Sequence, residues 1–145
     1  MVAHKRNLDG LFSDKAGGIL RFPGGRVRGI GIDLVSCRRM AAFLKRHREK
    51  FSGRLLTKSE RVLWQRKKYA VEWFAKFFAA KEAFFKTGNN AWMGVDGFRA
   101  IEILPMRNNH FSVRAAARFN GRGAKSYGRF FGTQKWIGAF VVICK

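Results

Sequence analysis

The chain has 145 residues, 47% of them apolar, and its 30 Lys and Arg against 9 Asp and Glu leave a formal charge of +21. This is one domain's length and too apolar for a disordered chain, and its charge calls for an anionic partner: nucleic acid, an anionic surface, an acidic protein or a phosphorylated small molecule. The two cysteines lack CxxC or His-Cys zinc spacing, and no run reaches the roughly 18 apolar residues that span a bilayer or forms a signal-peptide core, so reduced thiols in a cytoplasmic, membrane-free protein are expected.

Residues 1–25 mix glycine, proline and charge and end on the breaker "FPGG", which reads as a flexible N-terminal extension ahead of one domain over 26–145. "RVRGIGIDLVSC" is a β-branched apolar run between turn signals and reads as a buried strand carrying Asp33. In "CRRMAAFLKRHREKF", Met40, Phe43, Leu44 and His47 recur at helical spacing with Arg and Lys opposite, predicting a basic amphipathic helix. "LTKSERVLW" then supplies a capping box, Thr57 with Glu60, to open a second helix.

"AVEWFAKFFAAKEAFFKTG" is the clearest helix, closed by Gly88. Three strands are predicted after it, in "FRAIEILPM", "HFSVRAAA" and "WIGAFVVIC", separated by Asn- and Gly-rich connections. A strand, several helices and then strands, without βα alternation, indicate an α+β fold.

Acidic residues are scarce, so one inside an apolar segment calls for a reason. At roughly 100° per residue, Val71, Phe74, Phe78 and Phe85 define the apolar face of the long helix, and Glu82 falls about 40° from its centre at Phe78. Lys86 lies one turn further on the same side, and Lys81 on the opposite flank. Two readings of Glu82 stand: an i, i+4 ion pair with Lys86, or a partly desolvated carboxylate that holds a metal or serves as a base. Asp33 is likewise either a strand-end cap or a functional carboxylate. If the two met, they would form an open site suited to Mg²⁺, with substrate phosphates completing its coordination. His4, His47 and His110 fall in no nucleophile or metal arrangement and read as surface or structural residues.

"GIGIDLVSCRRM", "RLLTKSE" and "FFAAKEAFFK", in this order and spacing, resemble the holo-acyl-carrier-protein synthase group of 4'-phosphopantetheinyl transferases, and the resemblance extends over about residues 27–145. It implies a small fold of antiparallel sheet plus helices that assembles as a homotrimer with active sites between protomers. The implied reaction transfers the phosphopantetheine arm of coenzyme A to a serine of an acidic apo acyl carrier protein. By this resemblance Asp33 and Glu82 bind Mg²⁺, and Asp33, Glu82 and Lys86 form the catalytic set. Lys86 and Lys81 contact coenzyme A, while Arg39, Arg38 and Arg46 dock the carrier protein.

The chain departs from the family pattern at two places. Asn89, Asn90 and Ala91 stand where a Gly-Thr-Gly loop is usual, and Gly132 stands where the histidine of a Ser-x-Ser-His motif is usual. The alternatives to an active transferase are therefore a non-catalytic relative that binds a carrier protein or nucleotide, and a basic nucleic-acid-binding protein. The last is the weaker, since no helix-turn-helix, zinc-finger or RNA-recognition signature accompanies the charge.

Overall fold

The computed structural model of the chain describes residues 26–88, 97–115, 119 and 123–145. The extension over 1–25 and the positions of Asn89, Asn90 and Ala91 lie outside them. Strand β1 (Val27–Ser36) leads into helices α1 (Cys37–Leu55), α2 (Lys58–Arg66) and α3 (Val71–Phe85). A short 3-10 turn, Phe98–Ala100, precedes strands β2 (Ile101–Pro105), β3 (His110–Ala115), β4 (Lys125–Gly132) and β5 (Trp136–Cys144). All pairings are antiparallel, in the order β1-β5-β4-β3-β2. The α+β class expected from the element order is the observed one.

Each helix starts where a side chain satisfies free backbone donors or the chain turns sharply. Ser36 Oγ accepts the Arg39 N–H at the start of α1. Thr57 Oγ1 accepts the Glu60 N–H while Glu60 Oε2 accepts the Thr57 N–H at 2.8 Å, the reciprocal box read from the sequence. Lys68 and Tyr69, both at positive φ, fold the chain back between α2 and α3, and the Trp64 indole N–H donates to Ala70 O at 2.9 Å to hold that turn. After α3, Gly88 takes the left-handed conformation at φ 83°, as its place behind the helix predicts.

Helix α3 packs on β1 and β5. Phe74, Phe77 and Phe84 are fully buried, as are Val141 and Ile143 of β5 and, within 2% exposure, Ile101 and Ile103 of β2. The approach to β1 is unusually close because Gly29 and Gly31 face the helix. A Cβ on Gly29 would lie 2.5 Å from Thr87 O, and one on Gly31 would overlap Ala83 O outright.

Three expectations change. The first strand is not buried on both faces: β1 is an edge of the sheet, and Ile30, Ile32 and Leu34 are 55–57% exposed. A continuous apolar run signals a strand covered on two sides, but among the described residues it is the face carrying the glycines and Asp33 that is covered. The buried face of α3 also differs from the one centred on Phe78. Phe77, Lys81 and Phe84 point inward, while Val71, Phe78 and Phe85 are half-buried. Finally, β4 was not among the predicted strands, because "KSYGRFFG" interrupts alternation with Gly128 and Arg129. Gly128 is needed there, since a Cβ would run into the Phe111 ring and approach Phe140 O to 2.6 Å.

Candidate active site

The close seat of α3 on β1 brings three of the sequence-predicted residues together. Asp33 points from β1 toward the helix, and Glu82 and Lys86 lie one turn apart at the end of α3. Lys86 Nζ donates to Asp33 Oδ1 at 2.6 Å, with the Asp33 side chain 13% exposed and that of Lys86 53% exposed. The ion pair therefore joins helix to strand, in place of the i, i+4 pair with Glu82.

Glu82 is half-buried at the margin of the helix's covered face, because inward-pointing Lys81 precedes it by one residue. Burial pushes the Glu82 carboxyl above its usual pKa, the negative charge of Asp33 adds to the rise, and the nearby Lys86 ammonium works against it. Two carboxylates thus share one small region with the partly exposed Lys86 beside them. Both line a cleft of about 360 Å³. Its walls include Met40 and Phe43 of α1, Phe51, Phe78 and Trp136, and Arg39 brings a cation to its rim. Such a cleft offers an apolar bed beside two carboxylates and an arginine, as suits a ligand with an apolar or neutral part and a polar head.

Two convergent carboxylates fit a hard divalent cation that keeps several waters and takes further oxygens from a phosphorylated substrate. Among the described residues, no group of three or more His, Cys, Asp and Glu offers a fuller protein cage. Cys37 and Cys144 are both free. His47 is exposed at a kink in α1 and His110 is buried on β3, so neither joins the carboxylates.

Lys81 requires a correction. Its ammonium is not available to a ligand: the residue is wholly buried, and Nζ lies within hydrogen-bond distance of Leu55 O (2.8 Å), Phe98 O (2.8 Å), Ile101 O (3.1 Å) and Glu60 Oε2 (2.7 Å). Glu60 in turn accepts the Ile103 N–H at 2.7 Å through its other oxygen, besides capping α2. Burial pulls the Lys81 pKa down and pushes that of Glu60 up, while each partner's charge opposes the shift on the other. The pair thus ties α1, α2, the 3-10 turn and β2 to the helix that carries Glu82. The sequence signal was Lys81 itself, four residues after Phe77 and three before Phe84.

Arg38, Arg39 and Arg46 are all exposed on α1, and of the three Arg39 reaches the cleft. Gly132 ends β4 at φ 131°, where a Cβ would overlap Trp136 O, and the turn is closed by the Thr133 N–H donating to Trp136 O at 2.8 Å. Among the described residues, no helix is long and apolar enough to cross a membrane.

Known proteins share both sequence and shape with this chain. A holo-[acyl-carrier-protein] synthase of Azoarcus is 45% identical over 60 residues, 41% of this chain and 48% of that protein. The Blochmanniella pennsylvanica enzyme of the same name is 41% identical over 54% of this chain and 62% of its own length, and that of Chelativorans 47% identical over 63% and 72%. The chain thus spans about half to just under two thirds of the first two relatives. The crystal structure of holo-[acyl-carrier-protein] synthase from Neisseria meningitidis superimposes with a TM-score of 0.71 at 29% identity, covering 83% of this chain and all of the other. The Helicobacter pylori synthase in complex with coenzyme A gives 0.65 at 29% identity, over 79% of this chain and 98% of its own. Residues 29–141, from the glycines of β1 through the α3 carboxylate to the middle of β5, match the family model described as the 4'-phosphopantetheinyl transferase superfamily, and the chain belongs to that family.

Proposed function

We propose that the protein is a cytoplasmic, Mg²⁺-dependent holo-acyl-carrier-protein synthase, which transfers the 4'-phosphopantetheine group from coenzyme A to a serine of an acidic apo acyl carrier protein. The observation that carries this reading is the meeting of Asp33 and Glu82 in one largely apolar cleft, with Lys86 paired to Asp33 and Arg39 of α1 in the cleft wall. The names of the similar proteins and the coenzyme A bound to the Helicobacter pylori structure support the donor and the acceptor.

In this reaction the serine oxygen forms a bond to the phosphorus nearer the pantetheine. The bond from that phosphorus to the bridging oxygen breaks, and adenosine 3',5'-bisphosphate leaves. The chain's tasks are positioning and charge neutralisation. Glu82, half-buried in the cleft wall, accepts the serine proton. Lys86, on a flexible stem in the open part of the site, offsets charge on the phosphate groups. The apolar walls formed by Phe43, Phe51 and Phe78 receive the pantetheine arm, and Arg39, with Arg38 and Arg46, attracts the acidic carrier protein. Asp33 and Glu82 would hold Mg²⁺, which when bound supplies neutralisation of the pyrophosphate.

The exposed row Ile30, Ile32 and Leu34 on the edge strand supports assembly as a homotrimer, and because Leu34 also lines the cleft, a neighbouring protomer seated there would help to complete the site. Light scattering should give three chains per particle, and Ile32→Glu should give monomers with little activity. A wild-type monomer with full activity overturns the assembly.

The direct test is mass spectrometry of apo carrier proteins incubated with the protein, Mg²⁺ and coenzyme A. A phosphopantetheine mass shift is expected, lost in Asp33→Ala and Glu82→Ala variants that remain folded. A panel of apo carrier proteins left unmodified by wild type refutes the reading. A second reading, a family member that binds a carrier protein without catalysis, is favoured by Gly132, whose left-handed backbone and contact with Trp136 leave no room for the family's histidine side chain. Calorimetry separates the two: the transferase binds coenzyme A in a Mg²⁺-dependent manner, and the non-catalytic relative does not.

A further inference from the structure

Asp33 and Glu82 face the same cleft, and among the described residues the cation paired with Asp33 is the Lys86 ammonium, 2.6 Å from Oδ1. That ammonium occupies one of the oxygens a divalent cation would use. A cation seated between the two carboxylates would stand within a few ångströms of Nζ, and like charges at that distance repel strongly even in a wet site. Lys86 can yield: its side chain is more than half exposed, it has four rotatable carbons, and it is the C-cap residue of α3, beyond the rigid turns of the helix.

We infer that Lys86 is an exchangeable counter-ion, which neutralises Asp33 in the metal-free protein and is released by the metal to bind the diphosphate of the substrate. The inference rests on the metal site proposed above and adds a coupling to it. Metal binding frees the lysine that the diphosphate needs, and diphosphate binding draws away the lysine that competes with the metal. Each ligand must then raise the other's affinity by the same factor. The ion pair also explains how a half-buried pair of carboxylates is tolerated before any metal arrives.

The test is binding of Mn²⁺ alone, followed by the electron paramagnetic resonance of the free ion, in wild type and in the Lys86→Met, Asp33→Asn and Lys76→Met variants. Removing the competing ammonium should tighten Mn²⁺ binding by about tenfold in Lys86→Met, a Coulombic estimate at an exposed site. Lys76, which pairs with Glu72 at 2.9 Å and is not a lining residue of the cleft, should leave the affinity unchanged when replaced. Coenzyme A, added at fixed Mn²⁺, should raise metal uptake in wild type more than in Lys86→Met. Mn²⁺ binding that requires Asp33 but is unchanged or weakened in Lys86→Met overturns the exchange and leaves the metal site standing. Mn²⁺ binding that is indifferent to Asp33→Asn overturns the metal site and the exchange with it.

Discussion

Replacing Gly31 by alanine tests whether the closeness of α3 to β1 sets the geometry of the site. The added methyl would overlap Ala83 O and lie 2.9 Å from Ala83 C and 3.1 Å from Thr87 N, all backbone atoms of α3 or its end. Ordinary carbon contacts are about 3.5–4.0 Å, so the helix end must retreat by on the order of 1 Å. No rotamer change can relieve the clash. Overpacking of this kind costs about 1–3 kcal/mol, which leaves most domains folded. The catalytic cost is larger in proportion, because Glu82 immediately precedes Ala83 and Lys86 immediately precedes Thr87. A misplacement of about 1 Å at reacting groups can lower the rate by about 100-fold. Urea denaturation and the rate of carrier-protein modification, both measured on the same preparation, give the two quantities. Gly53→Ala is the control. A Cβ there meets nothing within 4 Å, so a gain of about 0.5–1 kcal/mol from helix propensity with unchanged rate is expected. A folded Gly31→Ala protein with a rate within twofold of wild type would refute the reasoning.

Lys81→Met should destabilise the protein by about 3–5 kcal/mol, since Glu60 would be left in the core without its cationic partner, either as an uncompensated charge or forced to take up a proton. Adding Glu60→Gln should restore part of that loss, and strictly additive losses in denaturation would show that the two residues do not act as a pair. For Glu82 the sign follows from its raised pKa. The stability linked to its proton is fully present below the unfolded-state value and is lost as pH rises through the folded-state value. Metal-free Glu82→Gln should therefore be more stable than wild type at neutral pH, with the gap closing as pH falls toward 4, near the ordinary carboxylate value. Thermal melts across that range check it, and a gap that widens on acidification contradicts the assignment.

Local signals account for what was legible in the sequence. The capping box at Thr57 and Glu60, the helix ending before Gly88 and the strand of Asp33 are each set by neighbours in the chain, so a short window holds the cause. The meeting of Asp33 with Lys86 is a contact across 53 residues, and no period in either segment encodes it. Its sequence correlate is the pair of glycines preceding Asp33, which permits the helix to approach but does not name the helix. Strand β4 was missed for a related reason: Gly128 looks like a break in a strand until the Phe111 ring beside it is known.

Lys81 and Glu82 show where pattern alone misleads. A helical wheel treats a lysine as outward, which turns the apolar arc toward Phe78 and places Glu82 inside it. In the structure the lysine belongs to the buried face, because three backbone carbonyls and the Glu60 carboxylate replace the water it loses. Rotating the arc toward Lys81 leaves Glu82 at the margin, partly covered and still open to the cleft. The adjacent charges thus divide the work. One fixes the rotation and depth of α3 from inside the core, where removing it exposes a buried partner charge. The other keeps its raised proton affinity only while that rotation holds. A change at Lys81 that preserved folding would accordingly turn Glu82 away from Asp33 and bring its pKa back toward the ordinary carboxylate value.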